Sequence, residues 1–77
     1  MKLKIGTVIY PSELGHKGFL YPDKTRPMTL TCSTVVTSLP WVGDNDCKAV
    51  HSDSVVTAYG NDMEHHHIKG SFWISKN

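Results

Sequence analysis

Apolar and polar residues alternate with a period of two along most of this chain, and Pro, Gly, Asn and Asp interrupt the pattern. Leu3, Ile5, Thr7 and Ile9 alternate with Lys2, Lys4, Gly6 and Val8, which predicts a strand over residues 2–10 with one buried face. Pro11 ends it, because proline has no N–H for a continuing ladder. Residues 11–27 hold Pro11, Gly15, Gly18, Pro22 and Pro27 and read as an irregular excursion, with residues 19–21 as a short extended piece. Met28, Leu30, Cys32, Thr34 and Val36 then alternate with Thr29, Thr31, Ser33, Val35 and Thr37. This is the clearest strand pattern, with Leu30 and Cys32 expected inside and Thr29 and Thr31 outside.

Residues 38–46 read as a loop from their Pro, Gly, Asn and Asp content, and residues 47–51 as another strand. Residues 54–59 fit a strand or a helix capped by Ser52 and ended by Gly60. Strand is preferred, since the run Val55, Val56 and Thr57 is poor helix material. Residues 60–62 form a turn. The final strand spans about 63–75, with Ile68, Gly70, Phe72 and Ile74 on the inner face and Lys69, Ser71, Trp73 and Ser75 on the outer one. Gly70 marks a bulge.

About five short strands in 77 residues predict one all-β domain over 1–77 with little or no helix. The architecture expected is a small antiparallel barrel of the SH3-like kind or a strongly curled sheet. A chain of this length buries roughly 60% of its unfolded surface, so the core is thin and a deep substrate pocket is not expected. Residues Gly15, His16, Lys17 and Gly18 resemble the turn of small ribosomal and transcription-factor barrels. The resemblance covers four residues and carries no residue role.

Charge changes this picture little. The net charge is +1, but residues 1–26 carry five cations against two carboxylates, and residues 27–64 one cation against five carboxylates. That spread fits a basic face and an acidic edge, but small proteins often show such fluctuations without either, which is the simpler reading. Lys2 and Lys4 are not followed by an apolar run, so the start does not read as a signal peptide, and nothing reads as a membrane span. A cytoplasmic protein is expected, with Cys32 and Cys47 reduced and buried.

The candidate chemistry is sparse. On a strand, His65 and His67 project to one side and His66 to the other. Such a pair holds part of a zinc ion when His51, Cys47 or Asp62 supplies more. No Cys-x-x-Cys or His-Glu-x-x-His spacing supports a zinc cofactor, and exposed strand histidines explain the run more simply. Cys47 with His51 lacks a third, orienting group for nucleophilic catalysis. Asp44, Asn45 and Asp46 lack the remaining ligands of a calcium loop. No nucleophile elbow or phosphate-binding glycine motif occurs, so no catalytic residue is assigned.

The tryptophans carry more weight. Trp41 falls in the expected loop and Trp73 on the expected outer face, and tryptophan is a common interface anchor. The main expectation is therefore a non-catalytic protein that binds and modulates, by inhibition, a larger cytosolic protein. Small inhibitors and accessory factors of this kind are common in compact genomes such as those of bacteriophages. Its partner surface would combine Trp41, Asp44, Asp46, Lys69 and Trp73. An alternative is a nucleic-acid-binding barrel using Lys2, Lys4, Lys17, Lys69 and Trp73, although a pI near 7.8 is low for that class. A second alternative is a small zinc protein built on His65, His67 and His51.

Overall fold

The computed structural model describes residues 1–11, 22–43 and 46–76, with backbone only for 40–43. Seven strands occur in chain order: β1 (Lys2–Leu3), β2 (Val8–Pro11), β3 (Met28–Leu30), β4 (Thr34–Val35), β5 (Thr37–Gly43), β6 (Cys47–Gly60) and β7 (His65–Ser75). The described residues contain no helix, so none is long and apolar enough to cross a membrane. β3, β2, β7 and β6 pair in that order, and β3 also pairs with β6, which closes a four-strand antiparallel barrel. β5 extends it from β6, while β1 and β4 form a separate two-stranded ladder. The all-β expectation holds, and the closed sheet is consistent with a small SH3-like barrel.

The long hairpin of β6 and β7 is the spine. Its register runs from Cys47 opposite Ser75 to Tyr59 opposite His65, with a break between Ser52 and Val56. Residues 54–59 are therefore strand. The break lies beside Gly70, whose φ of +96° is a backbone state that side chains with a Cβ rarely adopt. Two extra β6 residues are absorbed there, and the hairpin bends around the core.

Leu3, Ile9, Met28, Leu30, Val36, Val50, Val56, Ala58, Phe72 and Ile74 form the barrel interior, with Ile68 packed against them. A second, smaller cluster joins Cys47, Ala49 and Trp73, with Tyr10 and Leu39 against it.

Several expectations are corrected. The first strand is two, because the chain turns at Ile5 and Gly6, where Gly6 has φ +89°. Ile5 consequently lies in solvent rather than beside Leu3 and Ile9. The 28–36 strand also divides. After Leu30 the chain bends, Thr31 is half-buried, and β4 leaves to pair with β1. Cys32 is exposed on that bend and only Cys47 is a buried thiol. The expected 38–46 loop is largely β5. Pro40 is tolerated because β5 is the last strand of its sheet and its register with β6 is broken between Ser38 and Gly43.

Trp73 is the main correction. It is 1% exposed, not on an open outer face. Residues 65–70 of β7 do alternate, but residues 71–74 are all buried. That half of β7 lies between β2 and β6 with side chains packed on both of its faces, so alternation no longer separates core from water.

Candidate binding face and barrel ends

The strand register assembles one outward face. Thr29 pairs with Tyr59 and Tyr59 with His65, so these three side chains form a row across β3, β6 and β7. The His65 ring meets the Tyr59 ring edge-on, with centroids 5.0 Å apart. Two residues along β6 and β7, and so on the same side, lie Thr57 and His67, with Thr31 just past the end of β3 bonded to Thr57. Thr31 donates from both N and Oγ1 to the Thr57 carbonyl, at 3.1 and 3.0 Å. Thr57 Oγ1 lies 3.2 Å from His67 Nδ1. Met63 stands at the tip of the face, 75% exposed, and accepts a long contact from the Tyr59 hydroxyl at 3.8 Å. Val8 and Val55 are also exposed apolar residues.

The two ends of the barrel differ. One end holds a pocket of about 170 Å³ whose lining includes Arg26, Met28, Gly60, Asp62 and His66. The β6–β7 turn builds it. Met63 N donates to Gly60 O, Gly60 N donates to Glu64 O, and Met63 adopts a left-handed φ of 65°. This is a three-residue hairpin loop closed by a left-handed residue. It brings His66 Nε2 within 2.9 and 3.0 Å of the two Asp62 carboxylate oxygens. Asp62 Oδ1 also accepts from the Glu64 amide at 3.2 Å. The hydrogen bond from His66 is the main reason the Asp62 carboxyl sits below its ordinary pKa of 3.8. Gly60 makes room for the pair, since a Cβ there would meet Asp62 Oδ1 at 2.9 Å.

Just before the residue 25–28 wall of this pocket, Asp23 forms a local turn with Thr25. Its Oδ1 accepts from the amide of Thr25 at 3.1 Å and from its hydroxyl, and these bonds lower its pKa. The Thr25 hydroxyl therefore serves Asp23 and makes no bond to His66. An aspartate, a histidine and a threonine share one pocket without forming a nucleophile–base pair.

The opposite end is an open groove of about 450 Å³ lined by Leu3, Thr7, Val8, Lys48, Ile74, Ser75 and Lys76. Lys2 and Lys4, both exposed, flank Leu3 in the chain. The basic bias of the N-terminal segment thus continues with lysines from β6 and the end of β7.

Compared with protein-family models, curated proteins and solved structures, the chain gives no significant match.

Among the described residues, the expected partner surface loses Trp73. Lys69 is exposed on β7, whereas Trp73 is buried on the same strand. Asp46 is exposed and its carboxylate pairs with Lys24 at 3.0 Å. Trp41 belongs to β5, but its side chain lies outside the described residues, as do Asp44 and Lys17. The expected zinc ligands also stay apart. His51 is opposite Ser71, and His67 is opposite Thr57. On β7 four residues separate Ser71 from His67, which is about 13 Å at the usual rise. His51 Nδ1 lies 3.0 Å from Ser71 Oγ, and its Nε2 is 3.3 Å from Asp53. Among the described residues no three His, Cys, Asp or Glu side chains are placed to share a metal ion.

Sequence reading missed Tyr59, Met63 and Arg26. Tyr59 was legible in part, as a large residue among β-branched neighbours. The pocket was not, because it needs the 22–28 segment to meet the hairpin.

Proposed function

We propose that this chain is a non-catalytic binding module that docks on a larger protein through the outer face of β3, β6 and β7. It modulates that protein by covering part of its surface. The row Thr29, Tyr59 and His65, extended by Met63, carries the reading. It sets exposed apolar and aromatic side chains beside hydroxyl and imidazole groups on one continuous face. Tyrosine is favoured at binding hot spots for its large ring and polar tip, and methionine adapts to a partner's contours. A standard interface takes ~800 Å² from each partner, about a sixth of this domain's 5059 Å², which one side of a small barrel can supply. With Trp73 in the core, it is no longer part of the proposed partner surface.

The test is a paired measurement on Tyr59→Ser and Met63→Ser. Affinity capture from the native host should retain a specific protein on the unaltered chain. Each substitution should weaken its binding by about 2 kcal/mol while the melting temperature moves by only a few degrees. Undiminished binding in both variants would place the interface elsewhere.

A second reading, nucleic-acid binding, is supported by Lys48 and Lys76 on the groove beside Lys2 and Lys4. It expects binding of random oligonucleotides that falls steeply with added salt and is lost when these lysines are neutralised.

A further inference from the structure

We infer that the pocket between residues 25–28 and the β6–β7 hairpin receives a carboxylate on a short apolar stem, carried by the docked partner and held by Arg26. This rests on the reading of the outer face as the docking surface. The pocket adjoins that face directly, because Gly60 pairs with Met28 and the next β6 residue, Tyr59, pairs with Thr29.

Size selects the ligand first. At about 170 Å³ the pocket lies below the ~300 Å³ at which ordinary small-molecule sites begin. One short side chain or a chain terminus fits it, whereas a nucleoside does not. Its walls come next: Met28, 6% exposed, and Pro27 line the pocket and offer apolar contact to a methylene stem.

Charge then decides the head group. The Arg26 guanidinium makes no hydrogen bond or ion pair with the described residues. Each nearby carboxylate already accepts hydrogen bonds of its own. Asp62 accepts from His66 and from the Glu64 amide. Asp23 feels the charge of Arg26, but its Oδ1 is taken by Thr25. A fork of N–H donors beside an apolar wall suits a planar carboxylate, which can accept two parallel bonds.

The carboxylate can come from an acidic side chain or from a chain terminus, and three probes separate these. The ¹⁵N-labelled protein is titrated with N-acetyl-glutamate N-methylamide, with N-acetyl-alanine, and with N-acetyl-glutamine N-methylamide as the neutral control. Saturable amide shifts at Arg26, Met28, Gly60 and Asn61 are expected with at least one acidic probe and not with the control. The stronger acidic probe names the source. Arg26→Gln should weaken that binding at least tenfold, and Arg26→Lys should weaken it less. Shifts of equal size with the control, unchanged binding in Arg26→Gln, or no saturable shift with either acid overturns the inference. The probes need no docking partner. Their failure therefore leaves the outer face standing, and unchanged partner capture by Tyr59→Ser does not alter their result.

Discussion

Trp73 is a core residue although its place in the β7 alternation put it outside. At 1% exposure, with Cys47, Ala49, Tyr10 and Leu39 around it, its ring contributes to stability rather than to recognition. Trp73→Ala should cost about 3–5 kcal/mol, which is comparable with the whole stability expected of so small a domain. Loss of the sharp thermal transition in circular dichroism is the expected result. A variant that melts within a few degrees of the parent would show that the second cluster is dispensable. Tyr59 is the counterpart. It lies at 36% exposure and its neighbours on the face are mostly threonine and histidine, so its truncation removes little core.

Among the strands, the β6–β7 hairpin decides the shape, and Gly70 decides where the hairpin bends. A Cβ on Gly70 would meet nothing within 4 Å, so sterics with neighbours would permit alanine. The φ of +96° does not. Gly70→Ala should therefore destabilise by ~1–2 kcal/mol, a fall of roughly 5–15 °C in melting temperature at this chain length. No shift would mean that the bend survives without the left-handed residue. β5 makes a related point. Its irregular register opposite residues 48–50 of β6 accommodates a proline and blunts the terminal edge of the sheet against further pairing.

For the molecule as a whole, two surface carboxylates link stability to pH. Asp62 and Asp23 both have folded pKa values below the ordinary 3.8, the first mainly through His66 and the second mainly through Thr25. Their contribution is complete above that unfolded value and is lost as pH falls through the lower folded values. The difference in melting temperature between the unaltered chain and Asp62→Asn should thus be constant above about pH 5 and shrink below about pH 4. A difference that stays constant down to pH 2 would show that the His66 contact does not favour the ionised acid. Binding belongs to this scale too. The outer face uses β3, β6 and β7 together, and the pocket needs the 22–28 segment closed against the hairpin.

The period-two pattern determined the fold class, the strand character of residues 28–30 and the burial of Leu30, Phe72 and Ile74, while residue type gave the strand at 54–59 and the turn after Gly60. These are local properties, since backbone geometry places alternate side chains on opposite sides of any strand. Tertiary structure decided where that alternation stops separating core from water. It buried Trp73 because β7 lies between β2 and β6, exposed Cys32 because the chain bends after Leu30, and made residues 37–43 a strand because β6 supplied a partner despite Pro40. It also joined Thr29, Tyr59 and His65, which lie in three separate strands, and set Arg26 beside the Asp62–His66 pair. A row across a sheet depends on register between distant segments, and register is set by barrel closure rather than by any stretch of residues within it.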